Sequence, residues 1–285
     1  MWTYADLLTL KGTAGANVTG TAHDERLRRF MEVSAQEIDR YAGRSFHPWV
    51  GTKFFDGPGG TMLSVPDLVS VSTLQEDDNL DGTFDTGWAA NDYQLWPYNA
   101  NPTSDAGRPY QAIYVSNKSN GTQDEFVHGR RNYLISGTWG FSAVTVTLGL
   151  TVSSSLDATA TSLVLASGSA SGTIEAGQVL LIGTEQLYVR TGGAGTAVTV
   201  TRGVNGAVAS VIASSTAIAV FTYPSPITEA VIANATRLFK RSQAAYASQA
   251  GAPDGQVTVF QGGLDRDVRM MIDGYRRPAL LGLGI

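Results

Sequence analysis

The 285-residue chain contains no cysteine, which excludes disulfides, thiolate metal sites and cysteine nucleophiles. Its three histidines, His23, His47 and His128, share no spacing that is typical of a metal or catalytic site. The H-E-x-x-H, G-x-S-x-G and Walker motifs are also missing. We therefore predict that the protein is not an enzyme and takes no cofactor. A pair of carboxylates far apart in the chain, as in a glycan hydrolase, is left as an alternative.

Long apolar runs and positive charge are scarce as well. No stretch of 18 or more apolar residues occurs, so we expect no membrane span, and the N-terminus lacks the pattern of a secretory signal. The formal net charge is −5. This charge is unfavourable for a general nucleic-acid-binding surface, because phosphate binding needs clustered Lys and Arg. A net negative charge is compatible with DNA that passes nearby without sequence-specific binding.

Charge nearly disappears between Thr145 and Thr222, where Ala, Thr, Ser, Gly and Val dominate. Alternation of apolar and polar residues predicts strands in this stretch, at Ser162–Leu165, Gln178–Ile182, Gln186–Arg190, Ala197–Thr201 and Ala217–Phe221. We expect a small all-β sandwich or barrel. It is inserted into a parent domain whose two parts are Met1–Val144 and Tyr223–Ile285. Because insertion into a loop costs little, we expect the insertion to leave the parent domain intact.

The two parts of the parent domain show helical periodicity at their outer ends. Capping residues and apolar stripes predict four helices, at Thr3–Leu10, His23–Ala42, Tyr223–Gln243 and Arg266–Tyr275. Between Phe46 and Trp139, short β segments alternate with Gly, Pro, Asn and Asp clusters that predict turns. The C-terminal stretch Leu280–Ile285 is apolar and broken by glycine, and an exposed apolar tail usually has a partner.

One acidic turn has the spacing of half a calcium-binding loop. Asp77, Asn79 and Asp81 occupy alternate positions before Gly82, as in D-x-N-x-D-G. The twelfth position, where a bidentate glutamate belongs, is Trp88, and the flanking segments are predicted strands rather than helices. A hairpin whose Asp and Asn side chains bond their own backbone is therefore favoured, with calcium as the alternative.

Eight segments in a fixed order resemble the head–tail connector (adaptor) proteins of long-tailed bacteriophages and related gene transfer agents. The segments are Tyr41–Phe46 (YAGRSF), Phe55–Gly60 (FDGPGG), Leu63–Leu74, Asp81–Asn99, Arg108–Val115, Ser136–Val144 (SGTWGFSAV), Pro224–Arg241 and Leu264–Pro278. The stretch Thr145–Thr222 interrupts the family pattern between its sixth and seventh segments. It contains the turn Val200–Gly206 (VTRGVNG), which is seen in β decorations of virion proteins.

The resemblance implies an α+β fold, in which a discontinuous helical bundle with β-hairpin embellishment carries the inserted all-β domain. It implies a structural virion protein that forms a twelve-subunit ring in the neck, between the portal and the stopper or tail-terminator protein, with DNA passing through the lumen. The C-terminal helix and tail are expected to contact the portal. The expected contact residues are Arg269, Tyr275, Arg276, Arg277, Leu280, Leu281 and Leu283.

A second hypothesis stays open from the sequence. The chain is then another tail or baseplate component of a virion, and the β module Thr145–Thr222 binds a host receptor or glycan.

Overall fold

The computed structural model describes residues 2–13, 18–104, 107–117, 121–166, 173–193, 197–243, 249–251, 257–259 and 263–277. Within them lie two six-stranded antiparallel sheets, a two-stranded ribbon and four α-helices. The protein is thus mostly β, and the predicted helical bundle with minor β-hairpin embellishment is wrong. The segments expected to be small hairpins are instead long strands of a complete sheet.

The helices and strands have the following bounds. The helices are α1 (Leu7–Gly12), α2 (Asp24–Ala42), α3 (Ser225–Gln243) and α4 (Arg266–Asp273). The first sheet contains β1 (Trp49–Gly57), β2 (Met62–Glu76), β3 (Thr86–Gly87), β4 (Tyr93–Trp96), β5 (Tyr110–Val115) and β6 (Gly129–Trp139). The second contains β7 (Thr145–Thr151), β8 (Ser162–Val164), β9 (Val179–Ile182), β10 (Glu185–Thr191), β11 (Ala197–Thr201) and β12 (Ala217–Phe221). The ribbon pairs β13 (Gln249–Gly251) with β14 (Val257–Val259).

The chain divides into two compact units. The first unit comprises Met1–Arg44, Thr145–Val204 and Val208–Ile285, so it holds all four helices together with the second sheet. The second unit comprises Ser45–Val144 and Asn205–Ala207, and it holds the first sheet.

The sheet of the second unit runs in the order β1-β6-β2-β5-β4, with β3 paired to β2. Its core is rich in aromatic residues: the rings of Trp88 and Phe126 stack with centroids 4.6 Å apart, and Tyr133 meets both edge-on. The indole N–H of Trp88 donates to the buried Glu76 at 3.0 Å. Aromatic pairs of this kind stabilise a core beyond the area that they bury.

The sheet of the first unit runs in the order β7-β12-β9-β10-β11-β8. The five strands predicted in this stretch are present, and β7 is an additional one that sequence reasoning missed. The strands enclose an aliphatic core that includes Leu163, Ile174, Leu187 and Ile218, each almost inaccessible to solvent. The β module Thr145–Thr222 therefore has a hydrophobic core of its own.

The inserted sheet also packs against the helices of the first unit. The backbone N–H of Leu7 in α1 donates to the carbonyl of Ala176 at 2.9 Å. The hydroxyl of Tyr188 in β10 donates to Glu32 in α2 at 2.8 Å. Gly177 lies so close to the fully buried Met31 that an added Cβ would stand 3.2 Å from its Cε. The module is therefore packed on α1 and α2.

Replacing Thr145–Thr222 by a short Gly–Ser linker tests this packing. The deletion would uncover Met31 and the α1 contact, and exposing one large apolar side chain costs about 1.5–3 kcal/mol. We expect the remaining chain to melt at a clearly lower temperature and to bind a hydrophobic dye. Val211→Ser, at a side chain that is 69% exposed, is the matched control and should melt like the wild type. Wild-type melting of the deleted chain would contradict the packing.

Asp92 is a buried carboxylate of the second unit, just before β4. It accepts hydrogen bonds from the N–H groups of Ala89 and Thr122, both at 2.7 Å, and from the Thr122 hydroxyl at 3.1 Å. Burial by itself would raise the pKa of Asp92, but these hydrogen bonds hold the pKa below its ordinary value of 3.8.

A carboxyl whose pKa is lower in the folded state contributes stability above the unfolded pKa. That stability is lost as the pH falls through the folded value. We therefore expect the free energy of unfolding to decrease from about pH 4 downwards, and Asp92→Asn to flatten this decrease while lowering stability at pH 7. Denaturant unfolding at several pH values measures both effects. An unchanged acid limb in the variant would contradict this role for Asp92.

Candidate functional site: the surface of the C-terminal helix

The helix α4 is amphipathic, and its apolar side is buried. Val268 and Ile272 are almost inaccessible to solvent, and Leu264 just before the helix is buried as well. A guanidinium of α3 holds the start of the helix: Arg237 donates to the carboxylate of Asp265 at 2.7 Å and also to the carbonyl of Gly263. The helix is thereby fixed on α3, and its orientation does not depend on local helix propensity alone.

The opposite side of α4 is exposed and carries arginine and methionine. Arg266, Arg269, Met270 and Asp273 are all exposed, at the i, i+3, i+4 and i+7 spacing of one helical face. Met270 is 63% exposed, which is unusual for a large apolar side chain. This side of the helix therefore packs against no other part of the described protein core.

The end of α2 completes this surface. The Tyr41 hydroxyl donates to Asp273 at 2.7 Å, and the Arg276 guanidinium lies over the Tyr41 ring, 5.1 Å from its centroid. The N–H of Arg277 donates to the carbonyl of Ala42, at the last residue of α2, at 2.9 Å. We call the six residues Tyr41, Arg266, Arg269, Met270, Asp273 and Arg276 the α4 surface.

The α4 surface is electropositive. It carries three arginines against one carboxylate, Asp273, which accepts the Tyr41 hydroxyl; a second exposed carboxylate, Asp267, lies on the same helix. The hydrogen bond to Asp273 and partial burial raise the pKa of Tyr41 above its ordinary value, so this hydroxyl stays protonated and continues to donate. The chain as a whole has a net charge of −5, so the positive charge of this surface is local.

The structure brings some of the predicted portal-contact residues together and leaves others aside. Arg269 and Arg276 lie on the α4 surface, whereas Tyr275 and Arg277 are half-buried beside it. Leu280, Leu281 and Leu283 lie outside the described residues. Sequence reasoning did not include Tyr41 among the contact residues. Its position two residues before Gly43, which ends α2 in the left-handed region at φ 67°, was the available signal, because a helix end is where a ring can leave the core.

The acidic turn between β2 and β3 is closed by its own side chains. The carboxylate of Asp77 accepts from the N–H groups of Asp81 and Gly82 at 3.0 and 2.9 Å. Asn79 accepts from the N–H of Asp81, and Asp81 from that of Thr83. These are the backbone bonds expected of the hairpin. Within the described residues, no group of three or more His, Asp or Glu side chains is arranged to hold a metal ion.

The three histidines occupy unrelated environments. His47 is buried, which lowers its pKa to about 3 and keeps its imidazole neutral. His23 packs edge-on against Phe239 with centroids 5.4 Å apart, and His128 is exposed. The structure does not bring them together.

A cleft of about 520 Å³ lies between α1, the start of α2 and the second sheet. Its cations are mostly paired, since Lys11 meets Asp24 at 2.7 Å and Arg28 meets Glu25 at 2.6 Å. Glu175 also faces the cleft, and its burial raises the pKa of the carboxyl. Charges paired in this way stabilise the junction of helix and sheet and define no ligand.

Comparison with known proteins adds no relative to this description. Neither the protein-family models nor the curated proteins match the chain. In the part of the chain that the structure describes, no helix is both long and apolar enough to cross a membrane.

Proposed function

We propose that the protein is a structural virion component of the neck, an adaptor whose ring joins the portal to the stopper or tail-terminator protein. One observation carries the proposal. The first and last of the eight connector-like segments, which lie more than 200 residues apart, build the α4 surface together: Tyr41 contacts Asp273 and Arg276, and Ala42 contacts Arg277. Segments that resemble one family and converge on one exposed surface support a shared interaction.

The chemistry of the surface suits a protein contact. Arginine, methionine and aromatic residues are enriched in protein interfaces, and the α4 surface consists largely of them. In the proposed assembly, twelve copies close into a ring through repeated heterologous contacts, the α4 surface meets the portal, and DNA passes through the lumen without sequence-specific binding. The protein acts by its geometry, in the virion, and uses neither a cofactor nor a catalytic residue.

Negative-stain microscopy of the purified protein, alone and with the portal protein of the same particle, tests the proposal. We expect rings, either free or seated on the portal, with one copy of this chain per portal subunit. A chain that stays monomeric even with the portal present would rule the adaptor function out.

The alternative function, receptor or glycan binding by Thr145–Thr222, has weaker support. The two aromatic residues of this stretch, Tyr188 and Phe221, are both buried, so neither ring is free to stack on a sugar. The exposed apolar side chains there are aliphatic, with Val208 82% and Val211 69% exposed. Binding of whole virions to cells that is lost with Val208→Asp and Val211→Asp, while the rings persist, would favour this alternative.

A further inference from the structure

We infer that the α4 surface binds an apolar groove lined with carboxylates on its partner protein. This inference rests on the proposed function and specifies the chemistry of the partner. Arg266 and Arg269 are exposed on α4, and Arg276 is exposed just after the end of this helix. A guanidinium binds a carboxylate through two parallel hydrogen bonds, so two arginines on the helix and a third beside its end are complementary to an acidic partner.

The apolar part of the surface indicates that its partner is a protein rather than DNA. Met270 is 63% exposed, and it lies on the same helical face as Arg266 and Arg269. A phosphate backbone would pair with the arginines but would leave the Met270 thioether in water. An apolar groove would bury it, and methionine adapts readily to the shape of such a groove. The combination of arginine and methionine therefore favours a protein groove.

Tyr41 is the positioning residue of this surface. Its hydroxyl donates to Asp273 at 2.7 Å, which fixes the position of the one carboxylate of the α4 surface. Its ring lies under the Arg276 guanidinium at 5.1 Å, which restricts the rotamers of a long side chain before the partner arrives. Ordering a side chain in advance lowers the entropy lost on binding.

Charge reversal tests the inference with the full-length protein and the portal protein of the same particle. Arg269→Glu is expected to weaken portal binding by about 30-fold or more, measured by biolayer interferometry at low and high salt. Met270→Ser is expected to weaken it as well, but with an unchanged salt dependence. Arg29→Glu, at an exposed position of α2, is the matched control and should bind like the wild type. Tyr41→Phe should weaken binding without removing its salt dependence.

Each result bears on the inference. Wild-type affinity for the portal in both Arg269→Glu and Met270→Ser would overturn it while leaving the adaptor function in place, provided that the wild type binds. A wild type that forms neither rings nor a portal complex would overturn both. A 30-base-pair DNA duplex is the second probe. If Arg269→Glu loses binding to this duplex but keeps its affinity for the portal, the surface belongs to DNA and the inference is wrong.

Discussion

Arg202→Met is expected to lower the free energy of unfolding of the first unit by about 3–5 kcal/mol. Arg202 and Glu185 form a bidentate ion pair, with two N–O distances of 2.7 Å. The two side chains are only 6% and 1% exposed. The remaining donors of the guanidinium reach the carbonyls of Asp157, Ala160 and Ser210 at 2.6 to 3.1 Å. Removing Arg202 leaves a buried carboxylate without its cation and frees three loop carbonyls.

Backbone N–H groups also donate to the Glu185 carboxylate, which helps to explain why removing Arg202 is expected to lower the free energy of unfolding so strongly. The N–H groups of Gly203 and Ser210 donate to Glu185 at 3.0 and 3.2 Å. Burial alone would raise the pKa of Glu185, but Arg202 and these N–H groups hold the pKa below its ordinary value. The group is thus charged at neutral pH, and a buried charge that loses its partner is strongly destabilising.

Hydrogen exchange at the amides of β10 and β12 measures this effect, because Thr145–Thr222 contains no tryptophan. Arg190→Met is the matched control: it makes the same change at a half-exposed arginine whose Nε donates to the Thr201 hydroxyl at 2.8 Å, and it should cost about 1 kcal/mol. The double variant Arg202→Met/Glu185→Leu should recover part of the loss, because an apolar pair replaces the ion pair. A loss below about 1 kcal/mol in Arg202→Met would contradict the assigned role.

Gly57→Ala is the second substitution with a large expected effect, about 3 kcal/mol or more. A Cβ at this position would stand 1.8 Å from the carbonyl oxygen of Val127, which belongs to the backbone, and 2.8 Å from the Tyr133 ring. The N–H of Gly57 also donates to the Asn132 side chain at 2.7 Å. The strand cannot shift away from Val127 without losing this bond and the pairing of β1 with β6.

The neighbouring Gly60 provides the control within the same turn. No atom lies within 4 Å of a Cβ built on Gly60, so Gly60→Ala should change the free energy of unfolding by less than about 1 kcal/mol. Four of the five tryptophans lie in the second unit, at positions 49, 88, 96 and 139. Guanidinium unfolding followed by their fluorescence therefore compares the two variants directly. If Gly57→Ala and Gly60→Ala lowered the free energy of unfolding equally, the close approach to Val127 would not be the reason for glycine at position 57.

The long helices were predictable because their signals are local. The stripe of Leu27, Met31 and Ile38 defines α2, and Gly43 ends it. The caps are less evident from the sequence: Asp6 accepts the capping bond of α1 from the N–H of Thr9 at 2.8 Å, and His23 precedes α2 without any side-chain cap. A helical period extends over many residues, whereas a cap depends on the rotamer of one side chain.

The fold class was not predictable, because a sheet is defined by pairs that are distant in sequence. Trp49 of β1 faces Trp139 of β6, and Leu68 of β2 faces the same residue from the other side. In the sequence, Gly51, Pro66 and Gly137 interrupt these three strands, so each resembles shorter hairpin segments. The continuous sheet appears only when β6 is placed between β1 and β2.

The candidate site divides in the same way. The charges and apolar periodicity of Arg266–Tyr275 establish a helix with a basic side from the sequence alone, because both are properties of consecutive residues. The contribution of Tyr41 to this surface could be found only in the fold. Tyr41 and Asp273 are 232 positions apart, and they meet because α2 and α4 pack in one unit. The importance of Arg202 was likewise not predictable, because the sequence shows only a charged residue, whereas the fold buries it in an ion pair with Glu185. Local patterns determine which elements form, and the packing of distant elements determines which polar groups lose water and must find each other.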